Sequence, residues 1–321
     1  MTEINQKLLQ LISDGASTKE ILQTLRITPK QLKIRLESLK REGYGFEYQV
    51  SDNGLITYNP LNGIYHDATN SLQMKLTKQE DEFTFLALSD LHIGNKSDNI
   101  ENLNLLYEYA KREGINIIIN CGDLINGCCT NESEAIVRKQ LERLISKHPF
   151  DEEILNIVLF GNHDYTPLEK YNINISNLIT SERSDFISLG FGTGLINVLN
   201  GQIIILHPVK RSTCSPKHHF PERWSTGKLI LKGHGHHNFV KTTDNTCTLK
   251  VPTASDVIYA QNPSLPGAMK ITIHFDEEGY LKNIYVEHLV ITPKIYTAGY
   301  FKQTFNKHAP ALTEQTVLSK K

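Results

Sequence analysis

Several apolar segments of this sequence end in residues that can bind a metal ion or move a proton. The first, "FLALSDLHIG", places Asp90 and His92 two residues apart directly after an apolar run. An apolar run of this length predicts a strand buried on both faces. Alternation then predicts that Asp90 and His92 lie on the same side at the carboxyl end, where open α/β sheets gather their ligands. Taken alone, such a pair is more typical of a solvated polar cap than of a metal site.

Four further segments repeat the pattern of an apolar run that ends in polar residues. They are "INIIINCGDLING", "ILNIVLFGNHDY", "GQIIILHPVK" and "LILKGHGHH", which end in Asp123, in Asn162, His163 and Asp164, in His207, and in His234 and His236. Five such endings in one chain favour a metal cluster over solvated caps. A glycine precedes Asp123, Asn162 and His234, and we expect these glycines to let the backbone turn sharply at the strand ends.

The order of these motifs is Asp-x-His, Gly-Asp, Gly-Asn-His-Asp, His and Gly-His-x-His, and it resembles that of the calcineurin-like metallophosphoesterases. The resemblance extends from residue 83 to about residue 295. It implies a four-layered αββα sandwich with a two-metal site at the strand ends. It also implies the ligands: Asp90, His92 and His236 for the first metal, Asn162, His207 and His234 for the second, and Asp123 as the bridge between them.

The same resemblance implies that the chain is an enzyme that hydrolyses phosphate esters by attack of a metal-bridging hydroxide. It gives His163 a role at the leaving group, either as a proton donor or as a positive charge. Asp164 beside it is expected to orient the imidazole ring. Mixed imidazole and carboxylate ligands favour two Mn²⁺ ions, with Fe or Zn²⁺ as alternatives, over Ca²⁺ or Mg²⁺.

A basic segment, "VKRSTCSPKHHFPERWSTGK", separates the last two motifs. In it, Arg211 is a candidate for clamping a substrate phosphate, and Trp224 is a candidate for stacking on a base. The alternative is an ordinary solvated loop whose tryptophan packs on the body of the protein.

The first sixty residues differ from the rest of the chain. Three segments with helical spacing, the second of which begins with Ser17 and Glu20 as a capping box, precede an alternating pair of segments around "SDNG". This order resembles a winged helix-turn-helix domain. Its third helix carries Lys30, Lys33 and Arg35, which we predict to contact DNA or RNA. The alternative is an assembly or dimerisation module whose basic face is merely solvated.

These elements predict an α/β fold, with a four-layered αββα body and a small N-terminal winged-helix domain. The predicted boundaries are 1–62 for the winged-helix domain, 63–82 for a linker with a short strand around Met74, 83–298 for the body and 299–321 for a loosely ordered tail. The tail is predicted because its sequence lacks clear periodicity.

The composition indicates a water-soluble globular protein. There are 34 Lys and Arg residues against 35 Asp and Glu, so no global field draws the chain to nucleic acid, and any such contact needs a local patch. No apolar stretch is long enough to predict a membrane span, and no secretory signal is evident. The five cysteines are odd in number and scattered, which predicts no disulfide framework and a reducing, cytoplasmic location.

The motifs do not select a substrate, and three functions remain open. The appended domain favours a phosphodiesterase or nuclease that acts on DNA or RNA. A phosphomonoesterase or nucleotide phosphodiesterase, whose winged helix mediates assembly, is the second candidate. A DNA-binding regulator without catalysis is the third. A homo-oligomer is compatible with each of them.

Overall fold

The computed structural model describes residues 2–41, 44–61, 71–76, 82–128, 132–209, 228–243, 246–256, 265–306 and 309–314. Within these ranges, the helices α1 to α7 are Glu3–Ser13, Thr18–Leu25, Pro29–Arg41, Ile100–Arg112, Glu134–Lys147, Asn162–Tyr171 and Ile175–Glu182. The strands β1 to β8 are Gly45–Ser51, Ile56–Leu61, Ser71–Lys75, Glu82–Leu88, Ile117–Asn120, Leu155–Phe160, Phe186–Phe191 and Thr193–Val198. The strands β9 to β16 are Gly201–Leu206, Lys228–Lys232, Phe239–Thr243, Thr246–Lys250, Gly267–Phe275, Leu281–Thr292, Lys294–Asn306 and Ala309–Glu314.

The described strands form two eight-stranded sheets that face each other. The first sheet has the order β11-β12-β10-β9-β8-β3-β1-β2, and the second has the order β16-β15-β14-β13-β4-β5-β6-β7. Val50 and Met74 of the first sheet are buried in one cluster with Phe83 and Phe85 of the second. Helices α4, α5 and α7 bury their apolar faces on the other side of the second sheet. The predicted α/β class, with two sheets and helices, is confirmed.

The five apolar runs that end in the motifs are divided between the two sheets. β4, β5 and β6 are adjacent parallel strands of the second sheet, and every residue of β5 and β6 is buried. β9 and β10 are adjacent parallel strands of the first sheet. The carboxyl ends of parallel strands point to the same edge, so each sheet brings its own motif loops together there.

The N-terminal part forms the predicted helices and hairpin, but the hairpin is also the end of the first sheet. Ser17 and Glu20 form the expected capping box of α2, and β1 and β2 pair antiparallel. β1 also pairs in parallel with β3, with Val50 opposite Met74, and β3 pairs with β8 of the body. The short strand predicted around Met74 is therefore present as β3, and it joins the hairpin to the body through continuous backbone hydrogen bonds.

Helix α3, which carries the predicted nucleic-acid contacts, packs against α7. Lys30 Nζ lies 3.0 Å from Glu182 Oε1, and Lys33 Nζ donates to Thr180 Oγ1 at 3.2 Å. A cavity of about 320 Å³ lies between α3, the hairpin and the body, and burial lowers the pKa of Lys33. The basic face of α3 is therefore solvated only in part, because Lys33 is half-buried against the body.

The prediction of a loosely ordered tail from residue 299 is wrong for the described residues of that segment. β15 runs from Lys294 to Asn306 along β14, and β16 pairs with β15. The sequence of β15 does not alternate clearly between apolar and polar residues, because the polar Gln303 occupies a completely buried position two residues before the buried Phe305.

The helices of the described ranges include none that is both long and apolar enough to cross a membrane. Among the described cysteines, Cys121, Cys128 and Cys247 are free and buried. The cytoplasmic location stays a prediction.

The shared sheet makes Val50→Ala a test of whether the hairpin and the body unfold together. Val50 is completely buried in the core between the sheets, so we expect its truncation to lower the free energy of unfolding by about 2 kcal/mol. Because the hairpin and the body share that core, urea denaturation followed by circular dichroism should show one transition at a lower midpoint. Ile34→Ala, at a side chain that is 59% exposed on α3, is the control and should change the midpoint little. An early second transition in Val50→Ala would show that the hairpin folds as a separate unit.

Candidate metal centre

The motif residues follow the strands rather than lying in them: Asn162, His163 and Asp164 form the first turn of α6, and the others lie in loops. β4 ends at Leu88, two residues before Asp90. The backbone of five motif residues is left-handed, with φ between 46° and 70°, at Asp90, His92, Asp123, His234 and His236. The strand alternation predicted for Asp90 and His92 is therefore wrong, although both side chains face the same donor cluster.

Backbone pairing continues past the ends of β4 and β5 and holds their two loops in register. Asp90 N donates to Gly122 O at 2.9 Å, and His92 N donates to Asp123 O at 3.0 Å. The carbonyl of Asp90 accepts from Thr253 Oγ1 at 2.8 Å and from Ser255 Oγ at 3.0 Å. The left-handed Asp90 is thus held by hydrogen bonds at both its N–H and its carbonyl group.

The first group of donors consists of Asp90, His92 and His236. His92 Nε2 lies 3.2 Å from His236 Nε2, and Asp90 Oδ1 lies 3.3 Å from His236 Nε2 and 3.8 Å from His92 Nε2. Ligands held at about 2.0–2.2 Å from one ion are separated by about 3.0–3.5 Å, which is close to these values. The buried Asp90 Oδ1 receives no hydrogen bond from any described residue. The group therefore fits a divalent cation.

The second group of donors surrounds His207. Its Nε2 lies 3.0 Å from Asp123 Oδ2 and 3.2 Å from Asn162 Oδ1. The donor atoms of Asp123, His207 and His234 lie within 4.8 Å of one another. A third group of the same size joins Asp123 to His92 and His163. The structure thus brings all seven predicted ligands together, and Asp123 belongs to both sides of the cluster.

Burial sets the protonation of the imidazoles in the first group. It lowers the pKa of His92 to about 3 and that of His236 to about 4, so both rings are neutral near pH 7. Neutral imidazole is the form that binds a metal ion. Burial raises the pKa of Asp90 to about 7, because a charged carboxylate without water is costly.

His207 and Asp123 shift each other in the opposite sense. Burial alone would raise the pKa of Asp123, but the adjacent His207 and the other histidines lower it below its ordinary value. Burial likewise opposes the charged form of His207, yet the charges of Asp123 and Asp90 raise its pKa to about 9. Asp123 is therefore ionised at neutral pH, and of the two carboxylates it is the better suited to bind a cation.

The glycines before the ligands serve chiefly to make room for His207. A Cβ added to Gly122, Gly161 or Gly233 would lie 2.3–2.6 Å from an atom of the His207 ring. Of these three, only Gly122 has a positive φ, of 110°. The sharp turn expected at all three positions is thus required at one of them, and close approach to the ring explains the others.

The structure separates the expected roles of His163 and Asp164. His163 Nδ1 lies 2.7 Å from the carbonyl oxygen of Asn126, so this carbonyl, and not Asp164, orients the ring. The completely buried Asp164 accepts hydrogen bonds from the backbone N–H groups of Leu124, Ile125 and Gly161. These bonds tie the loop after β5 to the start of α6, so Asp164 acts on His163 only through the backbone.

The sequence interpretation missed three groups of the site. Thr253 and Ser255 come shortly after β12 and the buried Val251, so the strand-end pattern could have identified them. Gln140 lies 3% exposed on the apolar stripe of α5, and a polar residue on such a stripe is also a signal. Nothing in the sequence could have identified the Asn126 carbonyl, because every residue type carries a backbone carbonyl.

The remaining predicted site residues are not brought to this cluster by the described contacts. Arg211 and Trp224 lie outside the described residues. Lys30 and Lys33 contact α7, and Arg35 Nη1 donates to Asn5 Oδ1 of α1 at 3.2 Å. Their roles in binding substrate or nucleic acid stay predictions.

Crowding at Gly233 predicts a loss of metal affinity when a methyl group is added. In Gly233→Ala, the new Cβ would lie 2.4 Å from Cys121 O and 2.6 Å from His207 Nδ1, so the ring must move. We expect Mn²⁺ affinity measured by calorimetry to fall by about tenfold or more. Gly235→Ala is the matched control, since its nearest neighbour is at 3.4 Å, and thermal unfolding in EDTA checks that both variants fold. Equal affinities would contradict this account of His207.

Several solved structures resemble the chain. Vacuolar protein sorting 29 from Cryptosporidium parvum is 14% identical over 70% of this chain and 100% of its own, with a TM-score of 0.41. The phosphoesterase Yfce from E. coli is 13% identical over 70% and 100%, with a TM-score of 0.41. A dimetal phosphatase from Danio rerio is 12% identical over 67% and 98%, with a TM-score of 0.39. No curated protein sequence matches the chain.

The family assignment rests on the sequence profile of the calcineurin-like phosphoesterases. That profile matches residues 83–263, which is more than half of the chain and contains all five motifs. The match begins after the N-terminal helices, so their resemblance to a winged helix stays a prediction. The chain belongs to the calcineurin-like phosphoesterase family and is a metal-dependent hydrolase.

Proposed function

We propose that this protein hydrolyses phosphodiesters with two divalent metal ions held at the edge where the two sheets meet. The observation that carries the proposal is the position of Asp123, whose carboxylate belongs to donor groups on both sides of the cluster. A carboxylate has two oxygens, so one such residue can serve two neighbouring ions. Asp90, His92 and His236 would hold one ion, Asn162, His207 and His234 the other, and Asp123 both.

The donor set supports Mn²⁺, with Fe and Zn²⁺ as alternatives. Imidazole nitrogen and carboxylate oxygen are mixed in both groups, and such sites are less suited to Ca²⁺ or Mg²⁺. Two bound ions supply Lewis acidity toward phosphoryl oxygens and make water a nucleophile near neutral pH.

In this proposal, His163 acts on the leaving group. A carbonyl oxygen only accepts hydrogen bonds, so the bond to Asn126 O requires the proton on Nδ1. The other ring nitrogen, Nε2, then faces the donors at 4.0 Å from Asp123 Oδ2. In the imidazolium form, Nε2–H can donate a proton to the departing oxygen or stabilise its charge.

Nucleic acid is the substrate that the sequence favours, and the contacts of α3 bear on it. Lys33 is held by Asn177 and Thr180 of α7, and the exposed pair between Lys30 and Glu182 contributes little, about 0–1 kcal/mol. A phosphate backbone could therefore displace Glu182 from Lys30 at small cost, whereas Lys33 would have to leave its partners. The packing of α3 on α7 favours the second candidate, a nucleotide phosphodiesterase or phosphomonoesterase whose N-terminal helices serve assembly.

Removing the charge of Asp123 is expected to abolish catalysis. Asp123→Asn should lower kcat for bis(p-nitrophenyl) phosphate in Mn²⁺ by more than about 100-fold, because a neutral amide cannot hold two cations. Asp151→Asn is the matched control, since Asp151 pairs with Lys111 on the surface, and it should retain wild-type activity. Wild-type turnover in Asp123→Asn would refute the two-metal assignment.

Binding of a labelled DNA duplex, measured against salt, separates the two substrate classes. If α3 binds phosphates, Lys30→Met should weaken binding and lower the salt slope by about one. Lys19→Met is the matched control, because Lys19 also forms an exposed ion pair with the body, at 2.5 Å from Glu152, but lies on α2. Loss of duplex binding in Lys30→Met alone would support a nucleic-acid substrate. Equal binding by both variants, with turnover confined to small phosphoesters, would support the assembly role.

A further inference from the structure

The peptide bond between Asn126 and Gly127 orients the ring of His163. Its carbonyl oxygen, on Asn126, accepts from His163 Nδ1 at 2.7 Å. Its N–H group, on Gly127, donates to the side-chain oxygen of Gln140 at 2.8 Å. A trans peptide is rigid and planar, and its carbonyl and N–H point in opposite directions. A rotation of this unit that weakened one of these bonds would therefore weaken the other.

Gln140 holds this unit with both ends of its amide. Besides accepting from Gly127 N, it donates from Nε2 to Gly127 O at 3.2 Å. These two bonds fix the peptide planes on both sides of the Gly127 Cα. Gly127 has a φ of 67°, and a Cβ there would lie 2.1 Å from the carbonyl oxygen of His163. Only glycine allows this close approach. Because glycine is conformationally flexible, hydrogen bonds from another residue are needed to hold the backbone here.

Gln140 is itself immobilised by packing. It is 3% exposed on α5, and the stripe around it contains the buried Val137, Leu141 and Leu144. On the other side, a Cβ on Gly94 would lie 2.3 Å from Gln140 Cγ. Gly94 belongs to the loop that carries His92, so the Gln140 side chain lies between the loops that follow β4 and β5.

We propose that Gln140 is a positioning residue that sets the orientation of His163 through the Asn126–Gly127 peptide. This inference rests on the proposed role of His163 at the leaving group. Among the described residues, the hydrogen bonds of Gln140 go to Gly127 and not to a predicted metal ligand. Its loss should therefore impair leaving-group departure and leave metal affinity unchanged.

Leaving-group dependence distinguishes this role from a structural one. Gln140→Met keeps the length of the side chain and removes both hydrogen bonds. It should lower kcat for methyl phenyl phosphate, whose phenolate is a poor leaving group, by about tenfold or more. This loss is part of the rate enhancement of about 10²–10⁴ that general acids contribute. For methyl p-nitrophenyl phosphate, whose leaving group needs no proton, kcat should stay within about threefold. Lys139→Met, at the exposed neighbouring position on α5, is the matched control and should resemble wild type with both substrates.

A double variant tests whether Gln140 acts through His163. In a His163→Ala background, adding Gln140→Met should cause no further loss with methyl phenyl phosphate, because the ring that it positions is gone. Equal losses with both substrates, or a full additional loss in the double variant, would overturn the positioning role. If His163→Ala shows the leaving-group effect and Gln140→Met does not, only the inference about Gln140 fails.

Nuclear magnetic resonance of the histidine rings tests the same role without turnover. In metal-free protein labelled with ¹⁵N-histidine, His163→Ala identifies the signals of the His163 ring. Wild type and Lys139→Met should show a protonated Nδ1 that exchanges slowly, and Gln140→Met should shift these signals and speed the exchange. An unchanged His163 ring in Gln140→Met would overturn the proposal. Absence of turnover in wild type would count against the proposed function alone, since this readout does not depend on it.

Discussion

The carboxylates of Asp90 and Asp123 are completely buried, and this burial is the constraint on which the rest of the site depends. A carboxylate without water costs several kcal/mol unless hydrogen bonds or opposite charges compensate it. Asp123 is compensated by His207 and by the backbone N–H of His163 at 2.9 Å. Asp90 accepts from His234 N at 3.0 Å through one oxygen only. The other Asp90 oxygen has no such partner among the described residues, and a divalent cation bound there would compensate it.

The backbone around these carboxylates is strained, and neighbouring loops hold it in place. Five motif residues other than glycine have positive φ, and such residues cost roughly 1–3 kcal/mol each. The loops after β4 and β5 pair with each other, and Asp164, Thr253 and Ser255 bind backbone groups that would otherwise be unpaired. The donors are thereby held in position before a metal or substrate arrives, and conformational entropy need not be lost at that step.

The N-terminal helices belong to this arrangement more closely than a linked domain would. The hairpin after them completes one end of the first sheet, and its Val50 lies in the core that also supports β5 and β6. Helix α3 lies on α7, and α7 covers the second sheet. Helix α3 therefore contacts both β1 of the first sheet and the helix that covers the second sheet.

The linear order of the residues determined the chemistry of this protein, whereas the tertiary structure decided how that chemistry is arranged. Apolar runs that end in Asp, Asn and His can be read directly from the sequence, because burial and polarity are properties of residue types. The α/β class, the capping box of α2 and the strand at Met74 were predicted for the same reason. The division of the motifs between two sheets, the pairing of β1 with β3 and the contact of α3 with α7 depend on residues far apart in the chain, and no local pattern records such contacts. Likewise, the residue type at position 164 indicated an acid beside His163, but only the folded chain shows that a backbone carbonyl orients the ring, because every residue carries that carbonyl and its partner is chosen by the fold.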